Sequence, residues 1–80
     1  MKITLKTFAW LREQSGASEH TLDMPNDASL QEALTAFSAR FPQLDLSVCR
    51  VALNHQYQRD FATILHENDE LALIPPVSGG

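Results

Sequence analysis

Eighty residues, 44% of them hydrophobic, fit one small domain around one core and exclude a second. Six Lys and Arg against ten Asp and Glu give a formal net charge of -4, which argues against nucleic acid as the main partner. A single cysteine forbids an internal disulfide, and no apolar run approaches the length of a membrane span or a secretory signal, so a cytoplasmic protein with no membrane partner is expected.

From Lys2 to Phe8 the sequence alternates, placing Ile3, Leu5 and Thr7 on one face of a strand and Lys2, Thr4, Lys6 and Phe8 on the other. Ala9 to Ser15 holds good helix formers, and Gly16 stands where a left-handed C-terminal cap belongs, which predicts a short helix. Ser18 to Met24 alternates again, with His20, Leu22 and Met24 opposed to Glu19, Thr21 and Asp23, and is expected to return antiparallel to the first strand. Pro25-Asn26-Asp27 makes a turn, and Ser29-Leu30-Gln31-Glu32 has the spacing of a capping box that opens the main helix. Leu30, Ala33, Leu34, Phe37 and Phe41 recur at helical spacing as its core stripe, and Pro42 stops it. Leu44 and Leu46 in the following connection are placed to plug the edge of the core.

Val48 to Leu53 reads as a strand, Asn54-His55-Gln56 as a polar turn, and Tyr57 as part of a short hairpin partner. Phe61 to Leu65 is apolar but short, Glu67-Asn68-Asp69-Glu70 is an acidic turn, and Leu71 to Ile74 is the last strand. Two hairpins flanking one helix require the first and last strands to lie side by side in the middle of the sheet, giving an α+β architecture with the helix on one face. Nothing in the sequence covers the second face, so outward residues such as Phe8 and Ile74 are expected to form an exposed apolar docking patch.

Catalytic groups are scarce in the body of the chain. Cys49 is a nucleophile by identity only, in a predicted strand with no histidine nearby in sequence, and reads as a buried, inert thiol. His20, His55 and His66 lack metal-ligand spacing, and Asp69 and Glu70 are explained by solvation of a turn. No Gly-rich loop resembles a phosphate cradle. Neither a metal site, a tightly bound cofactor nor an independent catalytic site is expected.

The chemistry falls instead on the end of the sequence, with residues 1–74 as the domain and residues 75–80 as an extended tail. Pro75 and Pro76 fix φ and donate no backbone hydrogen bond, so they end the last strand and stiffen its exit. Val77, Ser78, Gly79 and Gly80 then taper to a thin, flexible terminus, and the six tail residues reach roughly 20 Å when extended. A bare Gly-Gly also suits a merely frayed end; the Pro-Pro-Val-Ser lead-in from an apolar strand is what sets this one apart. The Gly80 carboxylate, already terminal in this sequence and so needing no protease, becomes the reactive group once a nucleotide-dependent enzyme converts it to an acyl adenylate. Sulfur transfer to that carbonyl gives a thiocarboxylate, a soft nucleophile at neutral pH.

Three stretches carry a family resemblance: Phe8-Ala9-x-Leu11-Arg12-Glu13-x-x-Gly16, the helix opened by Ser29, and Asn68-Asp69-Glu70-Leu71-Ala72-Leu73-Ile74-Pro75-Pro76-Val77-Ser78-Gly79-Gly80. Together they resemble the small, sulfur-carrying subunits of molybdopterin synthase, within the ubiquitin-like β-grasp sulfur carriers. The resemblance implies a mixed β-grasp sheet with one main helix on one face. It also implies that Gly80 is adenylated by a partner resembling the ubiquitin-activating enzymes, using ATP, and is then sulfurated with sulfur from a donor protein. Gly79, Ser78, Val77, Pro76 and Pro75 would insert into the large catalytic subunit of a heterotetramer, which uses two such sulfurs to build the dithiolene of molybdopterin for the molybdenum cofactor. Docking would involve Phe8, Leu73 or Ile74, among which periodicity does not choose. Asn68 stands where the family often has glycine, and Asn tolerates the left-handed conformation such a turn needs. Competing readings are a sulfur carrier for thiamin thiazole synthesis, a protein-conjugating modifier, and a plain interaction module with an inert terminus.

Overall fold

The computed structural model describes residues 1–76. The elements run β1 (Lys2–Thr7), α1 (Ala9–Ser15), β2 (Glu19–Asp23), α2 (Leu30–Arg40), a 3-10 turn (Leu46–Val48), β3 (Arg50–Leu53), β4 (Gln56–Tyr57) and β5 (Glu70–Ile74). The strands form one mixed sheet in the order β2-β1-β5-β3-β4. First and last strands lie parallel at its centre, with Thr4 opposite Glu70 and Thr7 opposite Leu73, and antiparallel hairpins flank them on both sides.

The period-two pattern places Ile3, Leu5, Leu22, Leu71 and Leu73 on one face, where they meet Leu30, Ala33, Leu34 and Phe37 of α2 in a single core. Ser29 caps α2 through its hydroxyl, which accepts from the Glu32 N–H at 3.2 Å. Part of the capping comes from far along the chain. The Leu30 and Gln31 N–H groups donate to Thr63 O and Phe61 O, so the short apolar run near Phe61 closes the helix N-terminus, with Ile64 bridging Ser29 and Leu65 buried. α1 ends at Gly16 in the left-handed region, φ 87°, and sends Leu11 into the core. Arg40 reaches back from the end of α2 to donate to Thr21 O at 3.1 Å, covering part of the open edge of β2.

Two sequence expectations are corrected. The strand expected from Val48 begins at Arg50, because the Asp45 side chain accepts from the Ser47 N–H and winds Leu46–Val48 into a 3-10 turn; Cys49 follows as its cap. The polar turn expected over three residues uses two. Asn54 and His55 both have positive φ, as a type I′ hairpin requires, and Gln56 joins β4 opposite Leu53.

His20 is 8% exposed on β2, edge-on to the Phe37 and Phe41 rings at 5.1 and 5.2 Å, with Nε2 2.9 Å from the Ser15 hydroxyl. Burial, reinforced by the Arg40 charge, lowers its pKa from the ordinary 6.5. The unfolded chain therefore binds this proton more readily than the folded one. The stability that neutral His20 confers is complete above pH 6.5 and is lost as the pH falls through the folded-state value. Urea midpoints between about pH 7.5 and pH 5 should drop more steeply for the parent than for His20→Gln. Equal slopes would remove His20 from the account.

Candidate docking face and tail root

Side chains that alternate away from α2 define the opposite face of the sheet. Lys6 and Phe8 from the β1 end, Glu70, Ala72 and Ile74 from β5, Ala52 from β3, and His55 and Tyr57 from the second hairpin surround a shallow depression of about 280 Å³. The registers explain the grouping: Lys6 and Ala52 both stand beside Ala72, and Tyr57 stands opposite Ala52. Two small alanines make the floor. Phe8 (47% exposed), Tyr57 (58% exposed) and the half-buried Ile74 make apolar walls, at the point where the chain leaves the sheet through Pro75 and Pro76. Along one side Lys6 Nζ lies 3.3 Å from Glu70 Oε1 and 3.8 Å from Glu19 Oε1, and His55 Nε2 lies 3.5 Å from Glu70 Oε2.

The β5 entry is fixed with equal care. Asn68 adopts φ 68°, the left-handed conformation expected of the residue in this position. The Asn54 side chain donates to Asp69 Oδ1 at 3.0 Å and accepts from the Glu70 N–H at 2.9 Å, tying the hairpin turn to the start of the strand. β5 is thereby held between β1 and β3, and the direction of the tail root is set by the most central strand of the domain.

Of the docking residues expected from sequence, Phe8 and Ile74 reach this face. Leu73 does not: one position earlier on β5, it points under α2, is fully buried and belongs to the core, so it offers no surface to a partner. The sequence pattern does not mark Tyr57 as a docking residue, because its side depends on the hairpin register, which a one-residue change in turn length reverses. Pro75 is half-buried and Pro76 exposed, while Val77, Ser78, Gly79 and Gly80 lie outside the described residues.

The rest of the described surface offers little for covalent chemistry. Cys49 is half-buried, and burial followed by the Asp45 charge pushes its thiol pKa up, so it remains protonated at neutral pH. Among the described residues no group of three His, Cys, Asp or Glu is placed to hold a metal ion, and no helix is long and apolar enough to cross a membrane. A larger furrow of about 630 Å³ runs between α2 and the 3-10 turn, lined by Leu34, Leu44, Leu46 and Phe61 on the helix side of the molecule.

A five-stranded mixed sheet clasping one main helix, with its central last strand leading to the end of the sequence, defines a ubiquitin-like β-grasp domain. The chain belongs to the ThiS family, whose model matches residues 5–80. Over an 82-residue alignment it is 40% identical to the molybdopterin synthase sulfur carrier subunit of Arabidopsis thaliana, covering 100% of this chain and 84% of that protein. SAMP1 from Haloferax volcanii superposes with a TM-score of 0.89 at 31% identity, with 100% of both chains covered. A chain from the complex of subunits 1 and 2 of the molybdopterin-converting factor of Helicobacter pylori superposes with a TM-score of 0.73 at 28% identity, again over 100% of both chains.

Proposed function

We propose that this chain is the sulfur carrier subunit of molybdopterin synthase and works in the cytoplasm. The observation that carries this reading is the 40% identity, spanning the whole chain, with the Arabidopsis thaliana protein of that name. An activating enzyme, resembling those of ubiquitin, uses ATP to adenylate Gly80 and releases pyrophosphate. A persulfide on a donor protein then displaces AMP to give an acyl disulfide, and a second thiol cleaves its S–S bond, releasing the thiocarboxylate and leaving a disulfide on the donor side. The tail from Pro75 to Gly79 carries that sulfur into the large subunit of a heterotetrameric synthase, which supplies the remaining catalytic groups. The carrier needs no metal or resident cofactor of its own for this chemistry. The apolar depression beside the tail root supports the reading, since it offers a partner a docking surface next to the group being delivered.

Intact mass tests the proposal. Incubation with the activating enzyme, ATP and a sulfur donor should add about 16 Da, the exchange of one oxygen for sulfur, and adding the large subunit with the pterin precursor should reverse it. A gain that persists would move the carrier to another sulfur pathway. The likeness to SAMP1, also described as a small archaeal modifier protein, favours a second reading as a modifier joined to lysine amines. That reading predicts adducts larger than the chain itself under the same conditions.

Docking has its own test. Phe8→Ala combined with Ile74→Ala should weaken binding to the large subunit about tenfold or more, because exposed apolar anchors at an interface centre carry most of its energy. Both side chains lie outside the core cluster, so the melting temperature should change far less than binding does. Parallel loss of both would make the two residues ordinary packing.

A further inference from the structure

Beside the apolar depression, and sharing Tyr57 with it, lies a second one of about 280 Å³ lined by Arg50, Arg59, Tyr57 and Gln58. Two arginines thus line one depression in a chain whose formal net charge is -4. Among the described residues neither lies within 4 Å of a carboxylate, whereas Lys6 on the neighbouring face has two. Arg50 is held with its guanidinium 4.7 Å above the Tyr57 ring, and its position on β3 stands directly opposite Ile74, the last residue of β5. Such stacking restrains the planar fork and lowers the entropy lost when it grips a carboxylate.

The Tyr57 ring shared by the two depressions bears on what can cover them. A partner seated on Phe8, Ile74 and Tyr57 also covers the Arg50 side of the same ring. Burying two like charges without counter-charge costs more than the apolar contact returns, so such a partner must bring acidic groups to this position. We propose that Arg50 and Arg59 receive the carboxylates of an acidic segment on the large synthase subunit, laid along the β3–β4 edge beside the tail root. The segment would fix the rotational setting of the carrier on its partner, while the apolar patch supplies adhesion. This inference rests on the sulfur-carrier reading.

Titration of the unmodified carrier with its own large subunit, at increasing sodium chloride, tests it. Arg50→Gln with Arg59→Gln should bind about tenfold more weakly than the parent at low salt, and the gap should close as salt screens the pair. Arg50→Lys with Arg59→Lys, which keeps the charge, should recover most of the loss. Lys2→Gln, an exposed charge at the far end of β1, should leave affinity within about twofold. Equal affinity of parent and double Gln variant at every salt concentration would overturn the assignment while leaving the carrier reading intact. If the parent itself fails to bind the large subunit, the functional reading fails and takes the inference with it.

Discussion

Deleting Gly79 and Gly80 is expected to abolish sulfur loading while leaving the melting temperature within about 1 °C of the parent. The shortened chain still ends in a carboxylate, on Ser78, so the reactive group is not removed. What it loses is reach, roughly 7 Å of extended backbone, and the absence of Cβ atoms at the last two positions. The fold should not notice. Every residue of the core cluster lies between Ile3 and Leu73, the last ladder pair is Ile74 with Arg50, and Pro75 and Pro76 have no N–H to give to the sheet. Gly80→Ala separates reach from slimness, since it keeps the length and adds one methyl group. A misplacement of about 1 Å at the reacting carbonyl can cost about a hundredfold in rate, and a loss of that size is expected in the mass assay. Loading of the truncated chain at the parental rate would sink the tail mechanism. A fall of several degrees in melting temperature would show that the tail is part of the domain.

Phe37→Ala should produce the largest loss of stability, about 3 to 5 kcal/mol by urea denaturation. Phe37 is the largest of the fully buried side chains, set in α2 against the sheet, with the Phe41 ring at 5.0 Å and His20 at 5.1 Å. Domains of this size have total stabilities of about 4 to 12 kcal/mol, so the substitution removes a quarter or more and should lower the melting temperature by about 12 °C or more. Phe41→Ala, at the half-buried C-cap, should cost much less. Truncating Phe37 also admits water to His20, which relieves the burial that lowers its pKa. The pH slope of stability should therefore flatten in the same variant, and a double-mutant cycle with His20→Gln should show strong coupling. A loss below about 1 kcal/mol would mean that the core collapses around the gap.

Most of the frame was legible in the residues because local signals and tertiary demands agree. Alternation in Ile3-Leu5-Thr7 and His20-Leu22-Met24, the Ser29–Glu32 cap, the α2 stripe and Pro42 each point to the element found there. Agreement fails where an element is defined by distant partners. The run from Phe61 to Leu65 is too short to declare a form, and its role is to accept hydrogen bonds from the first turn of α2. Val48 looks like a strand residue by composition, yet a side-chain bond from Asp45 to the backbone of Ser47 sets the conformation just before it. At the docking face, alternation along β1 and β5 was enough to bring out Phe8 and Ile74. Tyr57 and the paired arginines depend on β3–β4 register and on loop positions, which no local period encodes. Leu73 entered as a docking residue only through the family resemblance, and the same alternation that exposes Ile74 turns Leu73 inward.

The parallel pairing of β1 with β5 sets an order of events during synthesis. The two strands that meet at the centre of the sheet are the first and the last made, so the largest loop in the chain must close before the core is complete. An N-terminal fragment on the ribosome has the β1–β2 hairpin, α2 and the β3–β4 hairpin, but no central strand to join the two hairpins until β5 clears the exit tunnel. The docking face is assembled from those same two central strands together with the second hairpin. Nascent chains that have not finished therefore present neither surface nor tail, so on the sulfur-carrier proposal an activating enzyme would meet only chains whose sheet is complete.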